Sequence, residues 1–135
     1  MKQFIADSTY HQFYVADRIL EPEAPTEWTD KDVEARHVTL ENIVALSPES
    51  DLDARITSCG PGDVEPTFPD EPDFELITQI IAPSRKVGIY GWPWELEDEY
   101  EIGSEECEIT FRGFALERKE EDGDYYLVKV GPKRV

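Results

Sequence analysis

The chain has 135 residues, which suits one domain with one modest core and leaves little room for a second. Its 31 acidic residues outnumber the 13 lysines and arginines, so the formal net charge is −18. A field this negative repels nucleic acid and anionic lipid and favours fast, salt-sensitive association with basic proteins. We therefore expect a basic protein partner and exclude nucleic acid and membranes. Solubility, or adaptation to salt, is the alternative explanation of the acidity.

Compartment and redox state follow from what the sequence lacks. No apolar run approaches the roughly 20 residues of a membrane helix, and residues 1–13 lack the apolar stretch of a signal peptide. We therefore expect a cytoplasmic protein. Cys59 and Cys107 are too few and too far apart for a disulfide framework and have no metal-type spacing, which predicts free thiols.

The first predicted element is a strand at residues 10–15, where His11, Phe13 and Val15 share one face. We assign His11 to the scaffold, because a core or hydrogen-bonded histidine is the commoner outcome on such a face.

A short helix follows the prolines of residues 22–25. Thr29 is the predicted N-cap, and Asp30 and Asp32 lie in the first turn, where the helix dipole favours negative charge. The helix is predicted to end near Arg36, and His37 then lies where it can interact favourably with the helix C-terminus.

The rest of the chain is typical of short strands separated by turns. Strands are predicted at residues 38–46, 51–59, 74–81, 87–90, 109–116 and 125–130. Residues 60–73 hold four prolines and two glycines and form a loop, and Asp-Gly within residues 120–124 predicts a hairpin turn. The pattern predicts a mostly β fold, an antiparallel β-sandwich of about seven or eight strands with one short helix, in a single domain over residues 1–135.

The acidic residues are concentrated in residues 93–108, which hold eight acids in 16 residues and no base. We expect these carboxylates on one outward side, where they can meet a cationic groove. Trp92 and Trp94 lie beside them, and an exposed tryptophan among acids is typical of an interface anchor. Core tryptophans and a merely solvated acidic face are the alternatives. The predicted partner-binding residues are Trp92, Trp94, Glu95, Glu97, Asp98, Glu99, Tyr100, Glu101, Glu105 and Glu106.

No catalytic constellation is present. The chain has two histidines and no Gly-rich phosphate loop, HExxH motif or nucleophile elbow. Asp51 and Asp53 begin like a calcium loop, but Arg55 and a missing glycine break the pattern. We predict no enzyme activity, no cofactor and no metal site. A Ca²⁺-binding or carbohydrate-binding β-sandwich stays as an alternative, as does an enzyme with a carboxylate pair in a cleft.

Several motifs along the chain resemble the competence protein J family, the inhibitors of the nuclease of bacterial DNA uptake. The matching segments, in chain order, are Ser8-Thr9-Tyr10-His11-Gln12-Phe13, Glu27-Trp28-Thr29-Asp30, Val87-Gly88-Ile89, Glu108-Ile109-Thr110-Phe111 and Asp124-Tyr125-Tyr126-Leu127-Val128. The chain departs from the family in its Pro-rich loop at residues 60–73 and in the number of acids at residues 93–108.

The resemblance implies an inhibitor or immunity-type protein that binds a secreted or membrane-associated nuclease, and it carries no catalytic residues. Joined to the acidic segment, it gives the hypothesis that the chain occludes the basic active-site groove of such a nuclease. An immunity protein for a non-nuclease toxin is the alternative from the same class.

Overall fold

The computed structural model describes residues 2–6, 12–20, 22–48, 54–68, 71–91, 94–114 and 125–133. His11, Asp51, Asp53, Trp92 and the predicted turn at 120–124 lie outside the described residues. Within them the chain forms ten strands and one helix: β1 (Lys2–Ala6), β2 (Phe13–Asp17), α1 (Asp30–Ala35), β3 (His37–Thr39), β4 (Ile43–Leu46), β5 (Ala54–Cys59), β6 (Phe74–Ile81), β7 (Lys86–Gly91), β8 (Glu95–Glu101), β9 (Glu106–Phe114) and β10 (Tyr125–Pro132).

The strands form two five-stranded sheets, which confirms the mostly β, sandwich-like fold with one short helix. Sheet A has the order β1-β5-β10-β9-β6, and sheet B has the order β3-β4-β2-β7-β8. Neighbouring strands are antiparallel except β5 and β10, which run parallel. A parallel pair needs a long connection, and here it joins strands that are far apart in the sequence.

The core lies between the sheets and follows from strict alternation of side chains along each strand. In β2, Phe13 and Val15 face sheet A, whereas Tyr14 and Ala16 face outward. Phe111 of β9 is central, because its ring makes edge-to-face contacts at 5.4 Å between centroids with Phe13 and with Phe74. The faces predicted for the strand at residues 10–15 are therefore correct for Phe13, Tyr14 and Val15, which lie in β2.

Helix α1 begins and ends as its sequence predicts. The Thr29 hydroxyl accepts from the backbone N–H of Asp32, and the Asp32 carboxylate accepts from the N–H of Thr29, which completes a capping box. Arg36 ends the helix in the left-handed conformation, with φ of 67°. His37 then begins β3, where its Nδ1 lies 2.9 Å from Thr39 Oγ1.

Three features of the strand pattern differ from the prediction and raise the count to ten. Residues 38–46 form not one strand but two, β3 and β4, which pair with each other. Strand β1 was missed because Phe4 is its one buried side chain among those described. Strand β8 was missed because Glu and Asp have low strand propensity.

Both outer faces of the sandwich are covered by irregular chain. Residues 22–29 lie over sheet B, where Ala24 and Trp28 pack against the outward side chains of β2, β4 and β7. Residues 60–68 lie over sheet A, where Phe68 packs against Phe114 and Leu127. We call these two segments the sheet B cover and the sheet A cover.

The two cysteines are buried free thiols, as predicted. Burial raises the pKa of the Cys107 thiol to about 12 and that of Cys59 above its ordinary value, so both are kept in the unreactive protonated form. Among the described residues, no helix is both long and apolar enough to cross a membrane.

Candidate functional site: an acidic strand at a sheet edge

Most of the predicted site lies on strand β8, which is an edge strand of sheet B. Among the described strands it pairs with β7 alone. The pairing shifts between Ile89 and Tyr90 of β7, so that Glu97 is an extra residue in β8 between Leu96 and Asp98. Such a bulge, together with charged side chains, prevents another strand from adding to the edge. The acids of β8 therefore have a structural explanation beside a functional one.

Tyr100 and Asp98 turn toward sheet A. The Tyr100 hydroxyl lies 2.8 Å from Ser58 Oγ of β5 and donates to the Asp98 carboxylate at 2.8 Å. Burial, and the nearby Asp98 carboxylate, raise the pKa of Tyr100 well above its ordinary value. Tyr100 thus ties β8 to the opposite sheet, and its predicted role as a partner anchor stays a prediction.

Two acids of β8 are paired with bases of the chain itself. Glu97 lies 3.4 Å from Lys2 Nζ, a contact that joins the edge strands β8 and β1. Glu99 accepts from Arg18 Nε at 2.8 Å and lies 3.5 Å from Lys86 Nζ. The hydrogen bond from Arg18 lowers the pKa of Glu99, and the charge of Lys86 adds to this. A partner must compete with these bases before it can use either carboxylate.

The remaining predicted acids are exposed, and no ion pair within the described ranges involves them: Glu95, Glu101, Glu105 and Glu106. Glu105 and Glu106 lie where the chain passes from β8 to β9, and β9 belongs to sheet A. The expectation that all eight acids of residues 93–108 share one outward side is therefore wrong. The segment divides between two sheets because β8 and β9 are consecutive strands of different sheets.

Trp94 is half-buried on the outer face of sheet B. Its ring stacks on Tyr90 at 4.1 Å between centroids with an interplanar angle of 10°, and it lies 5.7 Å from Tyr14. Trp94 is therefore neither a fully buried core residue nor a fully exposed anchor.

A groove of about 390 Å³ lies on the other side of the molecule, beside the sheet A cover. Asp63, Glu65, Glu108 and Lys129 contribute its charged lining. Glu65 is paired with Arg112 and with Lys129, the latter at 3.2 Å. No group of three or more His, Cys, Asp or Glu residues in the described part of the chain is arranged to hold a metal ion. The groove thus offers a partly neutralised polar surface.

Sequence reasoning missed the bases that neutralise β8 and the role of Trp28. Lys2 and Arg18 are far from β8 in the sequence, and the pair between Arg18 and Glu99 spans 81 positions. No local pattern could have revealed them. Trp28 gave a signal, since it follows Glu27 in an acidic, proline-rich segment, but it was used only as part of the family motif Glu27-Trp28-Thr29-Asp30.

No protein-family model and no curated protein matches the chain. Two solved structures share its fold. One is ComJ from Bacillus subtilis, an inhibitor of the DNA degrading activity of NucA; its TM-score is 0.75 at 14% sequence identity, over 98% of this chain and 96% of that chain. The other is crocagin biosynthetic gene J, with a TM-score of 0.51 at 11% identity over 98% and 96% of the two chains. At these identities the likeness shows a common fold.

Proposed function

We propose that this chain is an inhibitor, not an enzyme, and that it binds and occludes the basic substrate groove of a bacterial DNA-degrading nuclease. The observation that carries the proposal is the fold shared with ComJ over 98% of the chain, in a molecule whose β8 edge exposes carboxylates. The resemblance of motifs to the competence protein J family supports the same class.

The mechanism follows from what a nuclease groove must do. It holds DNA phosphates with lysines and arginines, and duplex DNA carries about one charge per 1.7 Å of its axis. A protein edge rich in carboxylates is attracted to the same bases, and long-range attraction raises the association rate. Once docked, the edge excludes DNA from the groove.

The predicted site residues between positions 95 and 106 divide into two roles in this proposal. We assign direct contact with the partner to Glu95, Glu101, Glu105 and Glu106, which are exposed and form no ion pair with the residues that the structure describes. Glu97, Asp98, Glu99 and Tyr100 hold the strand in place, through the contacts with Lys2, Arg18 and Ser58 described above. Trp92 and Trp94, which precede Glu95 in the sequence, are the proposed apolar anchors.

The direct test is a DNA cleavage assay that mixes the purified chain with a purified DNA-degrading nuclease from the same source organism. We expect cleavage to stop at about one chain per nuclease, and added DNA to relieve inhibition, because chain and DNA compete for one groove. The heat-denatured chain is the control for nonspecific acidity. Undiminished cleavage with excess folded chain would contradict the proposal. Binding without inhibition would contradict occlusion of the groove while leaving the nuclease as a partner, and absence of binding would favour another partner, such as a non-nuclease toxin.

A further inference from the structure

The outer face of sheet B carries an aromatic layer that is covered only in part. Trp94, just before β8, packs against the buried rings of Tyr14 and Tyr90. Trp28 from the sheet B cover packs against the same buried cluster, which also contains Ala16, Ile43 and Ala45. Both tryptophans are themselves half-buried, so part of each indole faces solvent. Leu96, which is 38% exposed, pairs with Tyr90 and extends the apolar surface to the sheet edge.

This layer also contains an unmet polar group. The Tyr14 hydroxyl is buried and has no hydrogen-bond partner among the residues that the structure describes. Burial raises its pKa to about 12, so it is a neutral donor and acceptor at physiological pH. A buried hydroxyl without a partner costs free energy, and such groups are rare in finished cores. The Tyr14 ring lies 5.7 Å from the ring of Trp94, so this hydroxyl belongs to the same aromatic layer.

The chain around this layer is strongly acidic. Residues 22–35 contain five acids and one base, and residues 94–101 contain five acids and no base. Among the acids of the sheet B cover, Glu23 and Glu27 are exposed, and no ion pair within the described part of the chain involves them. An apolar centre with a charged rim is the usual anatomy of a protein interface.

We infer that the outer face of sheet B is the docking surface for the basic partner, with Trp28 as a second anchor beside Trp94 and with Glu23 and Glu27 extending the acidic rim. This inference rests on the proposed function, because the partner it needs is the basic wall of a nuclease groove. Arginine is the partner side chain that fits best, since a guanidinium stacks on indole rings and forms paired hydrogen bonds with carboxylates.

Two variants test this surface against a matched position on the other sheet. Trp28→Phe keeps an aromatic ring against the outer face of sheet B but removes part of the exposed contact area, and we expect affinity for the nuclease to fall at least about tenfold. Glu23→Gln with Glu27→Gln should weaken binding about threefold or more at low salt. Ile77→Ala, on the outer face of sheet A where Ile77 is 56% exposed, should change affinity by less than about twofold.

A footprint on the unmodified chain covers the case in which Trp28→Phe fails to fold. Hydrogen exchange should slow at residues 22–29 and 94–101 when the nuclease is bound, and should stay unchanged at residues 60–68. Exchange that slows at residues 60–68 while residues 22–29 keep their free rate would overturn the docking surface and leave the proposed function intact. Absence of binding by the unmodified chain would overturn both.

Discussion

The sheet A cover and the sheet B cover each lie over the outer face of a sheet, but they are held there by different interactions. The sheet A cover is neutralised by its own sheet: Glu65 binds Arg112 and Lys129, and Phe68 packs on Phe114 at 4.7 Å and on Tyr125 at 5.1 Å between ring centroids. The sheet B cover is held by Trp28 and Ala24 on an aromatic layer, and no ion pair within the described residues holds it.

The difference shows on which face the negative charge is not compensated by bases of the same chain. On sheet A, Glu65 and Glu75 meet Arg112 and Lys129 within the molecule, so part of the negative charge is compensated there, although Glu106 of β9 stays exposed. On sheet B, acids of the cover and of β8 outnumber the bases near them, and like charges held close together destabilise a compact state. A fold that retains this cost on one face and removes it on the other is typical of a face with a separate role.

The largest expected effect concerns the buried carboxylate of Asp17, at the end of β2 and before the sheet B cover. The Asp17 carboxylate is fully buried and accepts from the backbone N–H groups of Ile19, Leu20 and Ser84 and from the Ser84 hydroxyl, at 2.8–3.0 Å. Asp17→Ala removes all four hydrogen bonds, which are part-buried, and leaves an empty space at a fully buried position, so we expect a loss of about 3 kcal/mol in the free energy of unfolding. Urea denaturation at pH 7 measures it.

The same carboxylate predicts a pH dependence. Burial opposes ionisation of Asp17, but the hydrogen bonds from Leu20, Ser84 and Ile19 outweigh it and lower the pKa of the carboxyl. The stability that Asp17 contributes is therefore full above the pKa of an unfolded Asp, about 3.9, and is lost as the pH falls through the lower folded value. The difference in unfolding free energy between the unmodified chain and Asp17→Asn should shrink on acidification. A constant difference would contradict this.

The next effect concerns the start of the sheet A cover, where Gly60 meets the ring of Tyr100 from β8. A Cβ at Gly60 would overlap that ring, whereas a Cβ at Gly62 would meet nothing within 4 Å. We expect Gly60→Ala to cost about 2 kcal/mol through overpacking. Gly62→Ala, in the same loop, should lie within about 0.5 kcal/mol of the unmodified chain. Equal thermal midpoints for the two variants would show that Tyr100 does not lock β8 against this loop.

The smallest effect separates the two covers by their salt response. Glu65→Gln removes the ion pairs with Arg112 and Lys129, but these side chains are partly exposed and screened, so the cost should be about 0.5 kcal/mol. In about 1 M salt, where the screening length is about 3 Å, hydrogen exchange should quicken at residues 60–68 and should not quicken at residues 22–29. The reverse pattern would mean that aromatic packing does not hold the sheet B cover.

Local signals in the sequence were sufficient for part of the fold. Thr29 and Asp32 predicted the start of α1 because a capping box is made within four residues. The run Phe74–Ile81 predicted β6 with its observed bounds, because its inward side chains alternate with exposed ones. Such features depend on neighbours in the chain and need no knowledge of the tertiary structure.

For the candidate site, the sequence could predict only the amino-acid composition and not the contacts of the side chains. The acid density of β8 was visible, but which acids were already paired depended on Lys2 and Arg18, which reach β8 only through the tertiary fold. The parallel pairing of β5 with β10 has no local signal for the same reason. Trp28 was visible as a residue, but its packing against the outer face of sheet B, the face that also carries Trp94, depends on the tertiary fold.

The most direct test compares association rates at two salt concentrations for two variants of equal net charge. Glu95→Gln with Glu101→Gln, and Glu41→Gln with Glu71→Gln, each change the net charge from −18 by two charges; all four side chains are exposed. We predict that the first variant associates with the nuclease about two- to fivefold more slowly at low salt and depends less on salt, and that the second associates like the unmodified chain. Equal association rates for both variants would contradict the role of the β8 edge.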